Sequence, residues 1–139
     1  MPKITGLSHV DLTVTNLDHA EGWYTKLFGM NKVLEGESAE EGFKAKYLLE
    51  PTSGFILGLV EHTTKSGNGF DARATGLDHL SLGVTNRDEL KAWKSRLDEL
   101  GIQNGGISEQ GVGAGLNFRD PDGIALEFYV IDMQAPPQE

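Results

Sequence analysis

The sequence predicts an α+β fold built from two tandem modules, each with one helix and several strands. Its 139 residues, 38% of them hydrophobic, are enough for one domain with a core and too few for two ordinary domains. A block of residues near the start recurs seventy positions later. In each copy, an alternating strand pattern precedes a helical one. We therefore expect a single domain over residues 1–139 with an internal repeat.

The repeat defines the two modules. Residues 5–16 read TGLSHVDLTVTN and residues 75–86 read TGLDHLSLGVTN. Over residues 5–27 and 75–97, 11 of 23 positions are identical, which chance does not explain. We place the modules at residues 5–62 and 75–131, with a polar, glycine-containing connector at 63–74 and a frayed tail at 132–139.

Each module opens on a strand, at residues 9–14 and 79–84, in which polar and apolar residues alternate. Side chains two residues apart share one face of a strand, so the apolar face packs under the helix and the polar face points away from it. The polar face begins with His9 in the first copy and with His79 in the second. The two histidines therefore occupy equivalent positions.

A helix follows each opening strand. Asn16 or Asp18 caps the first helix, which ends at Gly29; Asp88 caps the second, which ends at Gly101. The predicted buried stripes are Trp23, Leu27 and Phe28, then Leu90, Trp93, Leu97 and Leu100. Later strands are predicted at residues 43–49, 55–60, 116–119 and 124–131.

Composition excludes several functions. The chain has 12 basic and 21 acidic residues, a net charge of −9, so we expect no nucleic-acid partner. It has no cysteine, so a metal ion would need His or carboxylate ligands. No apolar run approaches the roughly 20 residues of a membrane span, and residues 1–6 lack the apolar stretch of a secretory signal. We expect a cytoplasmic protein without a membrane partner.

The final strand holds a carboxylate among apolar neighbours. Glu127 lies between Leu126 and Phe128, and the alternation puts it on the same face as Ala125 and Tyr129. Burying an ionised carboxylate costs several kcal/mol unless a cation or a donor compensates. Each of these residue types is common in plain packing, but two equivalent histidines with a flanked Glu are typical of a divalent metal site.

With a βαβββ repeat, a His at the start of each opening strand and a Glu after the DPDG turn at 120–123, the sequence resembles the vicinal oxygen chelate superfamily. This group includes glyoxalase I, extradiol dioxygenases, methylmalonyl-CoA epimerase, and fosfomycin and bleomycin resistance proteins. The resemblance covers residues 5 to about 131. It implies that the modules form an open, cupped β-barrel around a metal-binding cavity.

The resemblance implies three metal ligands, namely His9, His79 and Glu127. Gly58 stands where glyoxalase I has a fourth ligand, a carboxylate that is also a candidate base, so a glyoxalase I or epimerase reaction is disfavoured. The remaining set is the facial triad that favours Fe(II), with Mn, Zn or Ni as alternatives. A Tyr of the extradiol dioxygenases corresponds here to Asn117, and a Thr of the fosfomycin transferases corresponds to Asp11.

Other site candidates keep two interpretations each. The candidate catalytic residues are His62, Asp11 and Tyr129, and the candidate substrate-binding residues are Tyr47, Asn117, Tyr129 and Gly58. His62 is more typical of a solvated loop than of a catalytic group. The tyrosines are equally typical of half-buried packing, and Asp11 is equally typical of a pair with a Lys from the other module. The glycines at residues 111–115 let a strand or loop bend over the cavity and do not have the spacing of a phosphate-binding loop.

Two functions remain. The favoured one is a divalent-metal-dependent, dioxygenase-like or glyoxalase-like enzyme acting on a small substrate that chelates the ion through two oxygens. The alternative is a metal-free protein that binds a drug or metabolite, as the bleomycin resistance proteins do. Those proteins lack the ligand triad, and its presence here favours the enzyme. A half-barrel leaves an open edge, so we expect a homodimer.

Overall fold

The computed structural model describes residues 1–132, in which the order strand, helix, strand, strand, strand occurs twice. This arrangement confirms the predicted α+β fold of two tandem βαβββ modules. Contacts within the chain separate a first unit, residues 1–68, from a second unit that begins at residue 69. Beyond Asp132, the predicted tail lies outside the residues that the structure describes.

The first unit contains one helix and one four-stranded sheet. Its elements are β1 (Val10–Thr13), α1 (Leu17–Phe28), β2 (Asn31–Ser38), β3 (Phe43–Leu49) and β4 (Ile56–His62). The strand order is β1-β4-β3-β2, with β1 parallel to β4 and the other neighbours antiparallel. This order places β4 in the middle of the sheet, between the strand that starts after His9 and the strand that carries Tyr47.

The second unit repeats this topology. Its elements are β5 (Leu80–Gly83), α2 (Arg87–Glu99), β6 (Asn104–Gln110), β7 (Gly113–Arg119) and β8 (Ala125–Ile131). The strand order is β5-β8-β7-β6, with β5 parallel to β8. The central strand β8 carries Glu127 and corresponds to β4 of the first unit. Among residues 1–132, neither helix is long and apolar enough to cross a membrane.

The helix caps agree with the prediction in one unit and correct it in the other. The Asn16 side chain accepts a hydrogen bond from the His19 N–H at 2.9 Å, and Gly29 ends α1 with a left-handed φ of 67°. In α2 the predicted cap Asp88 is wrong. Asn86 is the last extended residue, and its side chain accepts from the Glu89 N–H at 2.9 Å. Asp88 lies within the first turn, where its charge complements the helix dipole.

The buried stripes differ from prediction by one position in α1. This helix buries Leu17, Ala20, Tyr24, Leu27 and Phe28, while Trp23 is only half-buried. Trp23 contacts the Tyr24 ring edge-on, with a centroid distance of 4.8 Å. In α2, Leu90 and Leu97 are fully buried, whereas the predicted Trp93 and Leu100 are only half-buried. The Trp93 ring stacks on Phe128 with a centroid distance of 4.4 Å.

The glycine-rich segment forms part of a hairpin. Gly113 and Gly115 lie within β7, and Gly111 makes the turn before it with a φ of 54°. Strand β7 therefore begins earlier than the predicted residue 116, and the expected bend is confined to the turn. A Cβ atom on Gly113 would collide with the Val130 carbonyl, so this position needs glycine for close strand approach.

Candidate metal centre

In each sheet, three neighbouring strands place one residue apiece in a cross-strand row. The second-unit row consists of Ser81 on β5, Glu127 on β8 and Asn117 on β7. The first-unit row consists of Asp11 on β1, Gly58 on β4 and Tyr47 on β3. The rows occupy equivalent registers of the two sheets, so they can be compared position by position.

Glu127 is buried, as its sequence context predicts. Its neighbours Leu126 and Phe128 point to the helix side of the sheet, and its own side chain on the other face is 7% exposed. Its carboxylate occupies space that Gly115 leaves open, because a Cβ atom there would lie 2.6 Å from Oε1. A carboxylate this buried needs a compensating positive charge or donor.

His79 presents a nitrogen atom to this carboxylate. Its Nδ1 lies 2.7 Å from Oδ1 of Asp78 and its Nε2 lies 3.5 Å from Oε2 of Glu127. A carboxylate only accepts hydrogen bonds, so a neutral His79 carries its proton on Nδ1 and turns the Nε2 lone pair towards Glu127. Two acceptors at this distance repel each other unless a proton or a cation lies between them. A histidine oriented by a carboxylate is also the usual arrangement of metal-ligating imidazole.

The donor pair fits a divalent cation. Two ligand atoms that each lie about 2.0–2.2 Å from a tetrahedrally coordinated ion are roughly 3.3–3.6 Å apart, and the observed distance between Nε2 and Oε2 is 3.5 Å. One nitrogen and one carboxylate oxygen suit Fe(II), Mn(II) or Zn(II). Among residues 1–132, no three His, Asp or Glu side chains are grouped closely enough to hold an ion. The second unit thus brings together two of the three predicted ligands, and His9 lies in the first unit.

A polar cavity of about 420 Å³ surrounds this pair. It is lined by His79, Ser81, Gln110, Asn117, Glu127 and Tyr129. The Tyr129 hydroxyl donates to the Gln110 carbonyl at 2.7 Å, so its proton is engaged and its oxygen lone pairs remain for a ligand. Asn117, which also lines the cavity, is exposed, and its side-chain amide can both donate and accept hydrogen bonds. The cavity size suits a small molecule.

The first unit contains a second polar cluster around Gly58. The His9 Nε2 lies 3.9 Å from Oδ1 of Asp11, and the Tyr47 hydroxyl donates to Oδ2 of Asp11 at 3.3 Å. Burial and then the negative charge of Asp11 raise the pKa of Tyr47, which keeps this hydroxyl protonated as a donor. The predicted residues His9, Asp11, Tyr47 and Gly58 are therefore neighbours in the structure.

The family model described as Glyoxalase/Bleomycin resistance protein/Dioxygenase superfamily matches residues 6–128. The chain belongs to this superfamily. This assignment confirms the resemblance in the sequence and agrees with the twofold βαβββ topology. Among curated proteins, no sequence matches the chain.

Solved structures of the superfamily share the fold. A glyoxylase/bleomycin resistance protein/dioxygenase domain from Frankia sp. EAN1pec is 31% identical, with a TM-score of 0.84, over 98% of this chain and 96% of that one. The fosfomycin resistance protein FosX from Listeria monocytogenes, complexed with Mn(II) and sulfate, is 20% identical, with a TM-score of 0.65, over 92% and 93%. A glyoxalase family protein from Enterococcus faecalis is 22% identical, with a TM-score of 0.74, over 90% and 97%. The last two likenesses establish the fold alone.

One predicted site residue lies apart from the first-unit cluster. His62 is the last residue of β4, exposed, and its ring lies 6.5 Å from the ring of Phe43. Four residues of extended strand separate it from Gly58, a distance of about 13 Å. The structure gives His62 no contact with the first-unit row among the described residues.

Two cavity residues and one supporting residue are absent from the sequence-based site. Ser81 could have been predicted, because it alternates with His79 along β5. Asp78 directly precedes His79, and a carboxylate next to a candidate ligand is a usable signal. Gln110 has no such signal. Its position depends on the β6–β7 pairing, which is interrupted between Asn104 and Ile107.

Proposed function

We propose that this chain is a divalent-metal-dependent enzyme acting on a small oxygenated substrate that binds the ion through two oxygen atoms. The observation that carries the proposal is the buried Glu127 carboxylate facing Nε2 of His79 at 3.5 Å inside a polar cavity. The ion supplies Lewis-acid chemistry and fixes the two substrate oxygens.

The ligand set in this proposal is His9, His79 and Glu127. His9 is included because it holds in the first module the position that His79 holds in the second. Two imidazoles and one carboxylate leave coordination positions open for substrate, as in the facial triad of Fe(II) oxygenases. Fe(II) is the favoured ion, with Mn, Zn or Ni as alternatives, and the Mn(II) bound by FosX supports a divalent ion.

The chain's own residues position the reactants. Asp78 holds the His79 ring through Nδ1, so that Nε2 points into the cavity. The Tyr129 oxygen, whose proton is directed to Gln110, accepts from a substrate hydroxyl, and the Asn117 amide donates to a substrate oxygen. Burial shields the Glu127 carboxylate from water and would strengthen its attraction for a cation.

Metal titration tests the ligand set. Metal-depleted protein is titrated with Mn(II) and free Mn(II) is followed by electron paramagnetic resonance. We expect one ion per site in the wild type and a loss of affinity of about a hundredfold or more in Glu127→Gln, His79→Ala and His9→Ala. Glu109→Gln is the matched control, because this exposed carboxylate of the same unit pairs with Arg87. Wild-type affinity in Glu127→Gln would contradict the proposal.

Activity assays test the reaction class. With Fe(II) under air we expect oxygen consumption with a catechol, which presents two adjacent oxygens, and weak turnover of a methylglyoxal–glutathione hemithioacetal. Loss of catechol turnover in Glu127→Gln, with folding unchanged, ties the activity to the proposed site. Equal binding of a small ligand with and without metal would instead favour a metal-free binding protein.

We further propose that the protein is a cytoplasmic homodimer. Strand β2 is at the end of the first sheet, and its Val33 and Leu34 side chains are 54% and 61% exposed. An edge strand with exposed apolar side chains is commonly covered by another surface. Light scattering at micromolar concentration measures the assembly, and a monomer with metal bound would contradict this part of the proposal.

A further inference from the structure

The central residue of the first-unit row, Gly58, has no side chain, and the carboxylate of its neighbour Asp11 lies over it. A Cβ atom on Gly58 would lie 2.7 Å from Cγ of Asp11 and 2.9 Å from Cε1 of Tyr47, and still closer to Oδ1 of Asp11. Gly58 has no positive φ, so the backbone conformation does not require glycine there. The glycine is needed for space, and the Asp11 carboxylate fills that space.

The sheet geometry explains how Asp11 arrives there. Asp11 and Tyr47 lie on opposite sides of Gly58 in the register, about 4.8 Å from it on each side. Their side chains meet above Gly58, where the Tyr47 hydroxyl donates to Oδ2 of Asp11. This hydrogen bond holds the carboxylate over β4 and leaves Oδ1 on the side of His9, 3.9 Å from its Nε2.

The second-unit row has the reverse arrangement. The carboxylate comes from the central strand through Glu127, and the position equivalent to Asp11 is the short Ser81. In both units a carboxylate oxygen faces Nε2 of the histidine that precedes the opening strand, at 3.5 Å in one and 3.9 Å in the other. The rows therefore present the same pair of groups from different strands.

We propose that Asp11 binds the same metal ion as His9, with Tyr47 as its positioning residue. This inference rests on the proposed function. The carboxylate missing from the sequence at Gly58 is then present in space. The first unit then offers one imidazole and one carboxylate to the ion, because Oδ1 of Asp11 lies beside Nε2 of His9.

A double-mutant cycle tests the placement of Asp11 without metal. Gly58→Glu puts a second carboxylate into the space of Asp11, and we expect its Tm to fall by about 5–10 °C. In Asp11→Ser/Gly58→Glu, which copies the Ser81 and Glu127 arrangement, at least half of that loss should return. If Gly58→Glu does not fold, Gly58→Ala takes its place in the cycle. Gly36→Ala is the control, because a Cβ atom there meets nothing within 4 Å.

Mn(II) titration tests the ligand role. We expect Asp11→Asn to bind about tenfold more weakly than the wild type, and Asp11→Ser/Gly58→Glu to recover most of that loss. Tyr47→Phe, which frees the carboxylate to rotate, should weaken binding less than Asp11→Asn does. Such graded losses would not follow from a purely structural role, provided that thermal unfolding shows every variant folded.

The outcomes separate the two proposals. If wild type binds Mn(II), Glu127→Gln does not, and Asp11→Asn binds like wild type, the Asp11 proposal is wrong and the proposed function stands. If wild type fails to bind, or Glu127→Gln binds like wild type, the proposed function is wrong and the ligand role of Asp11 is overturned with it. If Asp11→Ser fails to relieve Gly58→Glu, the placement of Asp11 is wrong.

Discussion

The two units build the same sheet and place their charge on different strands. In the second unit the central strand carries Glu127, and its neighbours Ser81 and Gly115 are small. In the first unit the central residue is Gly58, and the larger side chains of Asp11 and Tyr47 lean over it. A repeat can therefore keep its register while the residue that supplies the carboxylate moves by one strand.

The helix-facing sides of the sheets also differ. Lys46 on β3 is equivalent to Leu116 on β7 by the shared register of the two sheets. Leu116 is fully buried, whereas the Lys46 ammonium pairs with Asp18 and Glu21 of α1. An ion pair at such a site gives little net stability compared with an apolar side chain. The first unit therefore joins helix and sheet partly by charge and the second by apolar packing.

Among substitutions that test the difference between the two units, the largest effect is expected from copying a first-unit residue into the second unit. Gly115 is equivalent to Ala45, and a Cβ atom at 115 would lie 2.6 Å from Oε1 of Glu127 and 2.8 Å from Nε2 of Gln110. Gly115→Ala should displace the carboxylate and weaken Mn(II) binding by tenfold or more, on the order of 1–3 kcal/mol of strain, although no charge changes.

Gly105→Ala is the control for this prediction. Gly105 lies on the neighbouring strand β6, and its added Cβ atom would meet only the Asn117 carbonyl at 3.8 Å, an ordinary contact. Its Mn(II) affinity should equal that of the wild type. Equal affinities of Gly115→Ala and Gly105→Ala would mean that the shape around Glu127 does not control the site.

Much of the topology could be predicted from the sequence, because the repeat shows the same order of strand and helix patterns twice. Alternation along the strands placed His79, Glu127 and Tyr129 on one face of the second sheet, and in the structure these three residues line the same cavity. The α2 cap was mispredicted because Asn86 and Asp88 are both good caps. Only the backbone, extended at Asn86, decides between them.

The relation between Asp11 and Gly58 could not be read in the sequence. A glycine gives no information about direction, and the side chain that enters its space depends on the parallel register of β1 with β4. That pairing joins residues 47 positions apart, which no local pattern specifies. The resemblance to glyoxalase I marked Gly58 as a missing carboxylate, and only the three-strand row shows that Asp11 lies over it.

A smaller effect is expected from the groups that orient the two histidines. Asp78 accepts from Nδ1 of His79 at 2.7 Å, while the equivalent Ser8 hydroxyl lies 3.0 Å from Nδ1 of His9 and can donate or accept. Only the carboxylate fixes the tautomer. Asp78→Ala should therefore weaken Mn(II) binding by about tenfold and Ser8→Ala by clearly less. Equal losses of Mn(II) affinity in Asp78→Ala and Ser8→Ala would contradict the idea that only the carboxylate fixes the histidine tautomer.

The smallest effect concerns the charged helix contact of the first unit. A hydrogen bond and then the positive charge of Lys46 lower the pKa of Asp18 below its usual 3.8. A carboxyl whose pKa is lowered by folding stabilises the protein above its unfolded pKa, and this contribution is lost as the pH falls through the folded value. Lys46→Leu, which copies Leu116, should raise the Asp18 pKa towards its ordinary value of 3.8. The variant should therefore lose less stability than the wild type as the pH falls below about 4.

An NMR titration of the Asp18 carboxyl in wild type and Lys46→Leu measures this shift directly. Asp98 in the second unit is the internal control, because Lys94 and Asn104 lower its pKa through hydrogen bonds and neither group is changed. Its titration should be the same in both proteins. An unchanged Asp18 pKa would show that Lys46 does not hold the first helix by charge. Lys46 and Leu116 occupy equivalent positions of the two sheets. In that case the two helix contacts would differ in the shape of the side chain and not in charge.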